Sequence, residues 1–211
     1  MSKIMNNYRM PVAVMIAVLA ITAAGGFAAP VSVFTDRTAW EAAIGGVDWT
    51  VDFEGYAVDT PFHTVAVDVG PFSLEQTGTS TSTWRNSIKT TGYADMYTDF
   101  GAVEVDLTLD VPVYAWGADF FDLDGELLNL ELIGDDNQVV EVTQSTGFFG
   151  IVTSSTAVQI SKITFVSRTE DLGTSGETFE MDDVAGAVPE PATLSLLTIG
   201  GLGLAWRRRR R

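Results

Sequence analysis

Carboxylates are the reactive side chains that this sequence supplies in quantity. Val51-Asp52-Phe53-Glu54-Gly55 lies near its start and Phe179-Glu180-Met181-Asp182-Asp183-Val184 near its end, and both alternate acids with apolar residues. Runs of this kind offer hard oxygen donors, of which a calcium ion takes six to eight. The bland alternative is solvated strand ends or local hydrogen-bond caps. A third run, Asp122-Leu123-Asp124-Gly125-Glu126, has the Asp-x-Asp-Gly look of a calcium loop. The first ligand of an EF-hand-type loop would fall on Phe120, which cannot coordinate, so a hairpin turn on Asp124-Gly125 suits this run better. Paired carboxylates also hydrolyse glycosides, but their separation is spatial and no pair stands out by spacing alone.

Nucleophilic chemistry has little to work with. There is no cysteine and one histidine, His63, which excludes a His/Cys zinc site and a Cys-His dyad. A serine triad would need His63, yet no Gly-x-Ser-x-Gly elbow occurs, so His63 reads as a loop or strand-edge residue. For sugar recognition the candidates are Trp84, beside Arg85 and Asn86 after the Ser/Thr stretch Thr77–Thr83, and Tyr93, with Tyr97 four residues on. Trp116 is in register with Tyr114 and Phe120 and belongs to the core.

Short strands must position these residues. Val103, Val105, Leu107 and Leu109 alternate with Glu104, Asp106 and Thr108, the period of a half-buried strand. Leu128, Leu130 and Leu132, the turn Gly134-Asp135-Asp136-Asn137, then Val140 and Val142 predict a hairpin. Ile163 with Phe165, and Phe179 with Met181, mark two more inward-facing strands. One helix precedes them: Thr38-Ala39-Trp40-Glu41 reads as a capping box, Gly45-Gly46 as the stop, and Trp40 with Ile44 as the buried face. The pattern argues an all-β antiparallel sandwich with one short N-terminal helix.

Both ends of the chain read as addresses. Lys3 and Arg9 precede the apolar run Pro11–Ala24, and small residues Gly26 and Ala28 predict cleavage by signal peptidase after Ala28. At the other end Pro189, Glu190 and Pro191 are followed by the uncharged run Ala192–Trp206 and then by Arg207, Arg208, Arg209, Arg210 and Arg211. As a helix that run would span about 22 Å at 1.5 Å per residue, short of a ~30 Å hydrocarbon core. Arginine snorkelling and the interfacial ring of Trp206 make up the difference, and the arginines form a cytoplasmic membrane stop. Residues 1–28 are thus expected to be a signal peptide, 29–187 the ectodomain and 188–211 a sorting tail.

Without these ends the charge deepens. Of 12 Lys and Arg, two lie in the signal peptide and five in the tail; of 28 Asp and Glu, only Glu190 lies outside the middle, which therefore carries 5 against 27 and a net −22, compared with −16 for the whole chain. Nucleic acid is excluded as a partner, because phosphate binding needs a positive field.

The three-part tail resembles the PEP-CTERM sorting signal of Gram-negative bacteria. The resemblance implies processing by an exosortase, transient anchoring in the inner membrane by the hydrophobic helix, and delivery to the cell surface or the extracellular matrix of an exopolysaccharide-producing cell. The two acidic runs resemble the opening and closing strands of jelly-roll, carbohydrate-binding-module-like domains. That resemblance implies a structural calcium clamped by Glu54 with Asp182 or Asp183. The runs Ala118-Asp119-Phe120-Phe121-Asp122-Leu123-Asp124-Gly125 and Phe148-Phe149-Gly150 also resemble ectodomains that accompany this signal. The expectation is a non-catalytic exported protein that binds exopolysaccharide. Its alternatives are an acidic structural or adhesive sandwich without a specific ligand, and a carboxylate-dependent glycoside hydrolase.

Overall fold

The computed structural model describes residues 31–56, 58–63, 65–78, 86–99, 102–123, 128–143, 145–167 and 177–190. The expected signal peptide, Pro191, Trp206 and the arginines 207–211 lie outside the described residues, as do Trp84 and the Asp124-Gly125 turn. Among the described residues no helix is long and apolar enough to cross a membrane.

The chain opens with β1 (Ser32–Phe34), α1 (Arg37–Ile44), β2 (Trp49–Val51), β3 (Thr60–Pro61) and β4 (Val67–Asp68). It continues with β5 (Phe72–Thr77), β6 (Ser87–Lys89), β7 (Tyr93–Thr98), β8 (Glu104–Val113) and β9 (Ala115–Phe121). The last strands are β10 (Leu128–Gly134), β11 (Gln138–Val142), β12 (Gly147–Val152), β13 (Ile160–Ser167) and β14 (Glu177–Ala187). They form two antiparallel sheets. The larger runs β1-β12-β9-β14-β7-β6-β3, with β2 also paired to β14, and the smaller runs β11-β10-β13-β8-β5-β4.

The period-two reading places the core correctly. Val103, Val105, Leu107 and Leu109 are buried, the Leu128–Leu132 and Val140–Val142 runs pair as the expected hairpin, and Ile163, Phe165, Phe179 and Met181 all point inward. Aromatic rings lock the two sheets together. Phe165 of the smaller sheet meets Trp116, Phe120 and Phe179 of the larger, with centroids 6.1, 6.5 and 5.7 Å apart. Phe72 does the same with Trp49 at 5.8 Å and Phe53 at 6.3 Å. Such pairs add about 0.5–1.5 kcal/mol each beyond the area they bury.

The helix starts two positions earlier than the capping-box reading predicts. Its N-cap is Asp36, whose Oδ1 accepts from the Ala39 N–H at 2.7 Å, and Thr38 falls inside the first turn. An ionised carboxylate satisfies an orphan N–H and complements the helix dipole better than a hydroxyl does. Gly45 ends the helix in the left-handed region (φ 77°), its N–H bonded to the Glu41 carbonyl. Trp40 packs on the outside of the larger sheet, its Nε1–H donating to the Ile151 carbonyl at 3.1 Å. Gly117 and Gly150 make room for this contact: a Cβ on either would meet the Phe148 ring within 2.7 Å.

β14 is last in sequence and central in the larger sheet. One flank pairs with β9 from Glu180 to Ala187, while the other pairs with β7 up to Met181 and with β2 from Val184. Where the partner changes, a bulge inserts one extra residue between Asp182 and Ala185, and Asp183 takes φ 46°. The bulge keeps Met181 and Val184 both facing the core.

Candidate functional site

Helix α1 covers only part of the outer face of the larger sheet, over β12 and its neighbours. On the part built by β9, β14, β7 and β6 the outward side chains are half-buried, and Phe121 is exposed. The same alternation that buries Phe120, Met181, Ala94, Met96 and Ile88 turns Asp119, Phe121, Glu180, Asp182, Tyr93, Asp95, Tyr97 and Lys89 outward.

Register brings these side chains into rows. Glu180 stands between Phe121 on β9 and Asp95 on β7, and Asp95 opposes Ser87 on β6. Tyr93 opposes Lys89, and Tyr97 opposes Thr178. Cross-strand neighbours of this kind have Cβ atoms about 4.5–5.5 Å apart. Lys89 is tied to Asp95 at 3.3 Å and to Asp59 at 3.7 Å. The Glu180 carboxyl is pushed up from its ordinary value, first by burial and then by the charge of Asp122. Asp95 adds to that rise, while a hydrogen bond from Tyr93 and the charge of Lys89 oppose it. The face therefore combines two half-buried tyrosines and the exposed Phe121 with a carboxyl that is unusually easy to protonate.

A second acidic group surrounds the bulge. Asp182 lies directly opposite Asp119, a like-charge pairing that costs stability. Its carboxyl is pushed up to about 6, chiefly by burial, with the charges of Asp183, Asp52 and Asp119 adding and the Asp183 N–H hydrogen bond opposing. Arg37 supplies the compensating cation. Its Nη2 donates to Asp119 Oδ2 at 3.1 Å and to the Asp183 carbonyl at 2.7 Å, and the guanidinium lies 4.7 Å from the centroid of the Phe148 ring.

The residues expected to clamp calcium fall in two places. The Glu54 carboxylate lies in the β6–β7 turn, its Oε1 2.6 Å from where a Cβ on Gly92 would stand. The charges that reach Asp182 belong to Asp183, Asp52 and Asp119, so the opening run contributes Asp52 in place of Glu54. Among the described residues no three acidic or histidine side chains converge in a way that could hold a metal ion. One Asp182 oxygen accepts from the Asp183 N–H, and the Arg37 guanidinium stands beside the bulge on the Asp183 carbonyl.

Of the expected sugar-binding residues, Tyr93 is on the open face and Trp84 belongs to the β5–β6 connection outside the described residues. Its neighbour Asn86 is fully buried and structural. Asn86 Oδ1 accepts from the Tyr97 N–H at 2.7 Å and its Nδ2 donates to Gln76 Oε1 at 2.7 Å, tying β7 to β5 of the other sheet. His63 follows β3 in a bend, as expected of a loop residue. Glu180, Asp95, Lys89 and Arg37 were not legible as site residues. The Tyr93-Asp95-Tyr97 alternation marks an outward side, but nothing local says which strands lie beside it.

Pro189 and Glu190 follow β14 directly, and residues 187–210 match the PEP-CTERM protein-sorting motif. The chain thus carries this sorting signal where its residues predicted it. No curated protein and no solved structure shows a detectable match to the chain.

Proposed function

We propose that this is an exported protein whose tail is processed by an exosortase, that it is delivered to the cell surface or matrix, and that it binds exopolysaccharide there without catalysis. The observation that carries the reading is the sorting motif at residues 187–210, placed immediately after the last strand of an acidic β-sandwich. Signal peptidase removes residues 1–28 in this scheme, and the apolar run anchors the chain in the inner membrane until the tail is cut.

The glycan-binding part rests on the open face. Tyr93, Tyr97 and Phe121 offer ring surface, and Glu180, Asp95 and Asp119 offer acceptors for sugar hydroxyls. The net −22 of the ectodomain selects among glycans. It repels uronic-acid polymers and favours neutral or amino-sugar polysaccharides. Co-sedimentation of the ectodomain with neutral, amino-sugar and acidic polysaccharides tests this, with Tyr93→Ala as the control. Binding to one of the first two classes, weakened at least tenfold in the variant, is expected. Retention of wild-type binding in Tyr93→Ala, or no binding at all, sinks the proposal in favour of a structural or adhesive sandwich without a specific ligand.

A hydrolytic reading has one observation in its favour. Glu180, whose carboxyl is raised, directly opposes Asp95, which Lys89 pairs, so a proton donor and a carboxylate stand side by side. Turnover of a chromogenic glycoside panel that Glu180→Gln abolishes would establish it.

A further inference from the structure

Both ends of the folded chain leave it at one pole. Ser32 pairs with Val152, Val152 with Ala115, and Ala115 with Ala187, so the first and last strand residues share one row across β1, β12, β9 and β14. At about 4.8 Å per strand they stand about 14 Å apart. The apolar run begins at Ala192, four residues beyond Val188, a reach of at most about 14 Å. While the tail is attached, this pole therefore lies against the membrane.

The junction at that pole is held tightly. The Asp48 N–H donates to the Gly186 carbonyl and the Tyr114 N–H to the Ala187 carbonyl, both at 3.0 Å. The Val188 N–H donates to Asp48 Oδ2 at 2.7 Å. Ala185, Gly186 and Ala187 are buried. The Trp49 indole fills the space beside Gly186 where a Cβ would stand, which only glycine permits. The Tyr114 hydroxyl donates to the Ile44 carbonyl at 2.9 Å. Its titration is pushed up by burial and then by the charges of Asp48 and Glu190, so the glutamate of the sorting motif lies within electrostatic reach of the folded domain. Pro189 thus follows one residue after a clamped amide, with no linker between domain and motif.

A protease acts on an accessible stretch of main chain, and a cut beside folded structure proceeds through local opening. We propose that Asp48 and Tyr114 hold the sorting motif against the folded domain, so that tail removal waits on release of the last residues of β14. The inference rests on the reading of the tail as an exosortase substrate. Asp48 is a positioning residue in this scheme: it sets how often the motif is free, and takes no part in bond cleavage.

Pulse-chase labelling of the full chain in an exosortase-bearing host tests it, with tail loss followed by mobility. Three chains are compared: wild type, Asp48→Ala, and a chain with about eight Gly and Ser residues inserted between Val188 and Pro189. The insertion leaves every β14 contact in place, so it separates accessibility from folding. It should speed processing several-fold. Asp48→Ala should speed it by about tenfold or more, the weight of one hydrogen bond to a charged acceptor. Equal rates for wild type and the insertion overturn the latch while leaving the sorting role intact. Failure of wild type and insertion alike to lose the tail overturns the sorting role itself, and the latch with it.

Discussion

Replacing Asp182 by Asn should stabilise the folded protein at neutral pH and do nothing at pH 4. The carboxyl is pushed up from 3.8 to about 6 by burial and by Asp183, Asp52 and Asp119. Its folded-state value therefore exceeds its unfolded value, and folding favours the protonated form. The stabilisation linked to this group is complete below its unfolded value and is lost as pH rises through about 6. A shift of about two units at 1.36 kcal/mol each gives a ceiling of about 3 kcal/mol. The side chain is partly solvated, so screening reduces this to about 1 kcal/mol, or a 2–4 °C rise in Tm for a chain of roughly this size. Asn keeps an oxygen to accept from the Asp183 N–H, so the substitution removes charge and little else. Thermal or urea melts of both proteins at pH 7 and pH 4 measure the effect. The general repulsion among the acids is common to both proteins at each pH and largely cancels in the difference. An Asn variant no more stable than wild type at pH 7, or equally stabilised at pH 4, would refute the account of the bulge as a site where charge is held at a cost.

Two further outcomes follow from the geometry. Asn86→Ala removes the buried bonds from the Tyr97 N–H and to Gln76 Oε1 at the link between the sheets, and should lower stability by about 2–4 kcal/mol, read from the urea midpoint. A loss under 1 kcal/mol would mean that water replaces the amide. Chelator should leave the melting temperature unchanged, and Glu54→Ala should not alter that insensitivity, because Glu54 lies at the Gly92 turn and Arg37 beside the bulge; a chelator-induced drop of several degrees that Glu54→Ala removes would establish the calcium clamp instead.

How much of this was legible depends on the distance over which each signal acts. Burial of Val103 to Leu109 and of the Leu128–Val142 hairpin follows from a period of two residues, a signal contained in the segments themselves. The Asp36 cap was missed by two positions because Thr38-x-x-Glu41 matches a capping template, and only the backbone shows that the helix has already begun by Thr38. The site depends on register between remote strands. Glu180 and Asp95 are opposed although 85 residues separate them, and Asp182 opposes Asp119 from 63 residues away. No local pattern carries that information, so the expectation paired Glu54 with Asp182 or Asp183, whereas Asp52 is the acid of the opening run whose charge reaches Asp182.

The tail and the open face are linked by a single strand. β14 carries Glu180 and Asp182 on its outer side and ends at Ala187, beside the sorting motif. Seven residues of strand, one of them taken up by the bulge, place Glu180 about 20 Å above the junction. All strands of this sheet run along the same axis, and both termini leave at its lower end. In the proposed scheme the outer face would then stand upright on the membrane instead of lying against it, exposed before the tail is cut as well as after. On that scheme, processing would change where the domain goes without uncovering its surface. A face displayed in both states suits a protein that meets nascent exopolysaccharide at the membrane and leaves with it. It follows that the uncleaved chain, purified in detergent, should match the processed ectodomain in polysaccharide affinity within about twofold. A difference of tenfold or more between the two forms would mean that the tail or its surroundings cover the face, and would undo the upright orientation.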